Sequence, residues 1–228
     1  MLSITNLQSG YGKKKILHGV TLYVGKGEVV SLMGRNGMGK TTLLRAIMGL
    51  TPAWGGKIEF KGKDVTQASP NAISQRGIGY VPEGRGIFPN LTVYENLIMS
   101  ARSGRWTLER VYALFPRMKE RRAHWGRQLS GGEQQMLAIG RVLLLNTSLI
   151  LFDEATEGLA PLIQEEVWSC LRLIRADGIS ILVVDKNIRA LMPLAQRHYI
   201  IHKGETCWSG TSEDLQSSRK TLDRYITL

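Results

Sequence analysis

Cysteine is nearly missing from this chain. Cys170 and Cys207 stand apart, with no CxxC or CxxH spacing, so a disulfide-built secreted domain is excluded. Isolated thiols of this kind read as small buried or half-buried side chains, and a reducing cytosol fits them. Long apolar runs are missing too. None reaches the roughly 18 residues that could span a bilayer, so any membrane contact is expected to be peripheral. The opening MLSITNLQSGYGKKK has no apolar run behind a basic end, which predicts no secretory leader. Internal repeats, linkers and low-complexity tracts are absent as well.

Acidic residues are in deficit, 19 against 30 lysines and arginines, for a net charge of +11. Such an excess fits a solvated basic face or attraction to the negative cytoplasmic leaflet of a membrane. The clusters Lys13-Lys14-Lys15 and Arg117–Arg122 carry no interleaved aromatics for base stacking, and no nucleic-acid partner is expected.

What is present is enough apolar material, 43% of 228 residues, for one sizeable core or a core with a subdomain. VVSLM (29–33), SLILF (148–152), ISILVVD (179–185) and HYIIH (198–202) are short runs rich in Val and Ile bounded by turns, which predicts buried strands. Helical patterns separate them over 39–49, 161–177 and 187–196. The middle one starts at Pro161 and is followed by Gly178. Strands alternating with helices imply an α/β fold with a mostly parallel sheet covered on both faces. The N-terminal third differs. LSITNLQ, GVTLYV and KIEFKGKDV alternate apolar and polar residues, which predicts an antiparallel sheet, an N-terminal β-subdomain, edging the parallel one. Residues 86–146 are mainly helical in pattern, with a capping box at Thr92–Glu95. One domain is expected, with 1–85 and 147–228 forming the core and β-subdomain and 86–146 an inserted helical subdomain.

Directly after the strand VVSLM stands GRNGMGKT, residues 34–41, which matches GxxxxGK[ST] in its required strand–loop–helix setting. Glycines at 34, 37 and 39 let the backbone curl so that successive N–H groups form an anion-binding nest, and the helix that follows adds its positive end. Lys40 is then expected to reach the outer phosphates of ATP, and the Thr41 hydroxyl to coordinate Mg²⁺. The run SLILFDE ends on two adjacent carboxylates whose side chains diverge. Asp153 suits the metal shell. Glu154 suits a catalytic role, orienting or deprotonating the attacking water. LSGGE at 129–133 places Ser130 as a helix cap, with Gly131 and Gly132 leaving the backbone open to a phosphate.

GRNGMGKTT, LSGGEQQ and DEATEGLAP, in this order and spacing, resemble the Walker A, signature and Walker B–D-loop set of ABC ATPases. The resemblance covers essentially the whole chain and implies a P-loop NTPase core that hydrolyses ATP. It also implies two such domains meeting head to tail, each ATP lying between the loop of one subunit and the LSGGE of the other. On this likeness Asn36, Thr42 and Ser130–Glu133 join the nucleotide contacts. Tyr11 is either the aromatic that stacks on adenine or a packing tyrosine. Glu83 sits where a glutamine usually lies and could bind Mg²⁺ or water, although an ionised carboxylate cannot donate. Glu157–Ala160 occupy the D-loop, which touches the partner. Lys186 stands where most of the family has a histidine gripping the γ-phosphate; a lysine can contact phosphate as a point charge without shuttling a proton.

VPEGRGIFPNLTVYENL, RVYALFPRMKERR, LSGGEQQMLAIGR and DEATEGLAPLI look like the smaller ATP-binding subunit of branched-chain amino-acid importers, in which the glutamate of VPEGR and loss of the histidine are usual. That likeness implies a second, different ATPase subunit, two membrane permeases and, indirectly, a periplasmic binding protein. It also implies a peripheral position on the cytoplasmic face of a bacterial inner membrane. Related systems carry urea and short amides, and a low-activity regulatory subunit is the further alternative.

Overall fold

The computed structural model describes residues 1–217 and Tyr225. The chain opens with β1 (Leu2–Tyr11), β2 (Lys14–Val24) and β3 (Val29–Met33), passes through α1 (Lys40–Ile47), and continues as β4 (Ala53–Phe60), β5 (Lys63–Asp64), α2 (Pro70–Gln75) and β6 (Ile78–Val81). A helical stretch follows, with α3 (Val93–Ile98), α4 (Leu108–Leu114), α5 (Pro116–Glu120) and α6 (Gly131–Leu144). Strands and helices then alternate as β7 (Leu149–Asp153), α7 (Pro161–Ala176), β8 (Ser180–Val184), α8 (Ile188–Leu194) and β9 (Arg197–His202), before β10 (Glu205–Gly210) and α9 (Ser212–Ser217). No helix among the described residues is long and apolar enough to cross a membrane.

The principal sheet has six strands in the order β10-β9-β3-β8-β7-β6, all parallel except for the antiparallel β9–β10 pair. The strands that alternate in the N-terminal third form an antiparallel sheet of their own, as their pattern predicts, with four strands in the order β2-β1-β4-β5. Packing explains the arrangement. Alternate residues of the central strands, among them Val30, Leu32, Leu151, Leu182 and Val184, share one apolar cluster with Leu43, Leu44 and Ile47 of α1 and with Leu2, Ile4, Leu22 and Ile58 of the small sheet. The half-apolar strands therefore bury their inner face on α1, the helix that follows the phosphate loop, and hold it against the main sheet.

The opposite residues, Val29, Phe152, Ile181 and Val183, pack with α6, α7 and α8 and onward to Trp106, Val111, Phe115 and Met118 of the helical stretch. The helical segment and the main sheet thus share one continuous apolar cluster, with α6 as its spine. Each wholly buried side chain of this kind contributes about 1.5–3 kcal/mol. Both N-terminal boxes form: Thr92 with Glu95 on α3, and Ser130 with Glu133 on α6.

One buried polar chain ties the C-terminal elements together. His198 is fully buried, its Nδ1 2.6 Å from Ser31 Oγ and its Nε2 2.8 Å from Ser212 Oγ. The Ser212 hydroxyl gives its proton to Met192 O, so Nε2 is the nitrogen that donates. Burial lowers the His198 pKa from its ordinary value. The unfolded chain therefore binds a proton that the folded chain resists, and stability is full above about pH 6.5 and lost as pH falls toward the folded value. Thermal unfolding at about pH 7 and about pH 5 is expected to show a wild-type loss of at most about 1.4 kcal/mol per pH unit from this residue. His198→Gln flattens that dependence; parallel curves for the two proteins would refute the assignment.

Candidate functional site

The phosphate loop is set by close backbone contact. Gly34 follows β3 at φ 142°, and a Cβ there would lie 2.3 Å from Ile201 O, so no larger residue fits. Gly39 caps α1 in a left-handed conformation with no side-chain cap, which leaves the first N–H groups of α1 facing outward for an anion. Lys40 is 5% exposed and donates to Gly34 O and Arg35 O at 2.8 and 3.0 Å. Burial lowers its pKa, with Glu154 opposing.

Asp153, at the end of β7, is wholly buried and receives two hydrogen bonds, from Thr41 Oγ1 at 3.0 Å and from Tyr80 OH at 2.8 Å. Burial raises its pKa, while the two hydroxyls favour the charged form. The Tyr80 phenol is pushed upward by burial and by Asp153, so it stays protonated and donates. A carboxylate and a hydroxyl in contact beside a phosphate loop form a hard-oxygen donor set, and Thr41 and Asp153 could hold Mg²⁺. Tyr80 escapes sequence reading. It lies on the four-residue strand β6, between Gly79 and Val81, where nothing in the local pattern marks it.

Glu154 leaves the strand with φ 49°, the left-handed region that non-glycine residues adopt only when the surroundings hold them there. Its N–H donates to Val184 O at 2.8 Å. The carboxylate sits between two ammonium groups, 3.8 Å from Lys40 Nζ and 3.3 Å from Lys186 Nζ. Burial and the neighbouring Glu157 push its pKa up to about 7, against the pull of Lys186 and Lys40, a value suited to a general base near neutral pH. Lys186 also donates to Glu157 Oε1 at 2.5 Å, which raises its pKa. The structure therefore engages Lys186 with carboxylates. The exposed Glu83 brings its carboxylate within 4.8 Å of those of Glu154 and Glu157.

Around one cavity of about 460 Å³ stand Asn36, Gly37, Gly39, Lys40, Thr41, Thr42, Glu83, Glu154, Glu157 and Lys186, with Lys14 and Ile16 as linings the motifs do not reveal. Tyr11 lies outside that lining. The residue is 46% exposed, and its hydroxyl accepts from Thr42 Oγ1 at 3.5 Å. Ser130, Gly131, Gly132 and Glu133 also lie outside the cavity, at the start of α6.

Glu133 is anchored within its own chain. Its carboxylate accepts from Ser130 N–H at 2.8 Å and pairs with Arg121 Nε at 2.7 Å, and it is 6% exposed. Each oxygen thus has one partner that shapes the helix start and keeps a further lone pair. Gly131 and Gly132 also have a packing reason to be small, because added Cβ atoms would lie 3.0 Å from Arg85 Nη2 and 2.9 Å from Ile163 Cγ2.

Comparison with known proteins agrees with this geometry. Residues 17–157 match the family described as ABC transporter. The chain is 38% identical, over 99% of both chains, to the high-affinity branched-chain amino acid transport ATP-binding protein BraG of Pseudomonas aeruginosa. It is 32% identical, over 99% of its own length and 97% of the other, to the lipopolysaccharide export system ATP-binding protein LptB of Haemophilus influenzae. Its fold superposes with a TM-score of 0.81 and 26% identity, over 93% of this chain and 99% of the other, on an ATP-binding cassette solved as a dimer in a post-hydrolysis state with ADP and Pi. A phosphate loop, a strand-end carboxylate pair and a capped LSGGE helix on that fold leave one family, and the chain belongs to the ABC transporter ATP-binding subunits, which are ATPases.

Proposed function

We propose that this chain is a motor subunit of an importer for branched-chain amino acids, peripheral on the cytoplasmic face of the inner membrane. The observation that carries the reading is the full-length likeness to BraG. Two departures in the site support it, Glu83 and Lys186, each at a position where the importer subgroup also departs from the wider family.

In the proposed mechanism the loop from Gly34 to Thr42 binds the phosphates of ATP and Tyr11 stacks on the adenine. The start of α6, with Ser130, Gly131 and Gly132, closes over the nucleotide held by a second ATPase subunit, which contributes the same wall in return. Mg²⁺, held by Thr41 and Asp153 with Glu83 nearby, would neutralise charge on the phosphates. Glu154 accepts a proton from water as the water attacks. Binding closes the two subunits and moves the permeases, and hydrolysis reopens them.

LptB is named for export, so direction and cargo are what the decisive experiment must separate. Cells lacking this chain are expected to lose uptake of labelled leucine, isoleucine and valine and to regain it with the wild-type chain. Unchanged uptake of all three, with loss of labelled urea or acetamide uptake, would reassign the cargo. Loss of an export process alone would overturn the import reading.

A further inference from the structure

The loop after β7 and the loop after β8 are tied to each other twice. The inner tie is buried: Thr156 Oγ1 donates to Asp185 Oδ2 at 2.6 Å, while Asp185 Oδ1 accepts the Asn187 N–H at 2.9 Å. The outer tie is Lys186 Nζ on Glu157 Oε1 at 2.5 Å, between two half-exposed side chains. The buried tie fixes the two loops against one another, so the separation of Glu157 from Lys186 is imposed by the backbone frame. Within that frame the same ammonium stands 3.3 Å from Glu154 Oε2, beyond the 2.5 Å of its bond to Glu157.

A lysine ammonium is a point charge on a flexible stem with three donors. Left with one carboxylate in reach, it would close on that carboxylate and form the short charge-assisted pair such groups prefer. Glu154 is 11% exposed, where that attraction is less screened than at the surface. A Glu154 capped in this way has an oxygen and a charge committed to lysine, and it accepts a water proton poorly.

We propose that Glu157 is a positioning residue for hydrolysis: it holds the Lys186 ammonium in the shorter of its two carboxylate pairs, so the lysine balances the charge of Glu154 through the longer pair without closing fully on it. The proposal rests on Glu154 being the general base. It assigns Lys186 a role toward carboxylates in place of the phosphate grip expected at this position. It also gives Glu157, on a loop expected to face the partner subunit, a task within its own site.

The test is steady-state ATP hydrolysis by the full chain as Glu157→Gln, Glu157→Asp, Lys186→Gln and the double Glu157→Gln/Lys186→Gln, with Glu154→Gln alongside. Glu157→Gln is expected to lower kcat about tenfold while KM for ATP stays within about twofold, the pattern of a lost transition-state interaction. Glu157→Asp retains most of the rate. Adding Lys186→Gln to Glu157→Gln is expected to recover about half or more of the lost rate on a logarithmic scale, because the group that caps Glu154 has gone. Melting temperatures should be unchanged, since Glu157 is 44% exposed. An unchanged kcat in Glu157→Gln overturns the proposal, and so does a double variant as slow as the single one, the pattern of a subunit contact or local packing. If Glu154→Gln hydrolyses ATP normally, the general-base reading falls with it; a slow Glu154→Gln beside a normal Glu157→Gln sinks the positioning role alone.

Discussion

Glu154→Gln is expected to cut ATP hydrolysis by about 10²–10⁴-fold, the contribution of a positioned general base, while leaving ATP binding intact. The amide matches the carboxylate in shape, so the left-handed backbone at 154 and the hydrogen bond to Val184 O have no reason to change. What disappears is the basic oxygen and the negative charge between Lys40 and Lys186. Removing that charge leaves both ammonium groups freer to face phosphate, so nucleotide affinity should hold or rise. On the proposed cycle, in which binding closes two subunits and hydrolysis reopens them, the variant should accumulate as an ATP-bound dimer on size exclusion. Normal phosphate release by this variant would show that another group activates the water.

Lys40→Met should abolish measurable nucleotide binding, or reduce hydrolysis by at least about 10²–10³-fold, the scale for removing one charged donor from a transition-state cradle. The fold should survive. Lys40 is 5% exposed, burial disfavours its charge, and a thioether of similar length carries no such cost. Its hydrogen bonds to Gly34 O and Arg35 O are lost, yet that loop keeps the backbone hydrogen bonds from Gly204 N–H to Met38 O and from Leu43 N–H to Gly39 O. Equilibrium binding of a fluorescent ATP analogue and thermal melting together separate a lost ligand from a lost fold. In the assembled transporter the same variant addresses the alternative of a low-activity regulatory subunit, which Lys186 and Glu83 motivate. Transport-coupled hydrolysis that persists unchanged would mean this subunit's own site is idle; its collapse assigns the chemistry to this chain.

Much of the fold was legible because its signals are local. Pro161 and Gly178 bracket α7, runs of Val and Ile mark β3, β7, β8 and β9, and the capping box Thr92–Glu95 and the cap Ser130 are visible as local residue types. Strand β6 was not legible: it has four residues and contains Gly79, too short and too glycine-marked to show a period. Its loss hid Tyr80. The alternating strands were legible as an antiparallel sheet of their own. Alternation reports that one face is buried, and it does not say that the burying partner is α1.

The order of residues alone identified the chemistry, because the phosphate loop, the strand-end acids and LSGGE are contiguous segments whose function follows from backbone shape and neighbouring side chains. Folding set the relations among those segments. Thr41 meets Asp153 across 112 positions, Tyr80 meets it across 73, and Lys186 meets Glu157 across 29. Such contacts depend on which strands lie side by side and in what register, a property of the whole sheet that no local period carries. The same holds for the charges. Nothing in the sequence shows that Arg121 pairs with Glu133, or that Lys186 lies within reach of both Glu154 and Glu157. Side-chain partners in a packed domain are chosen by geometry at distances of a few ångström, and the chain supplies that geometry only after it has closed on itself.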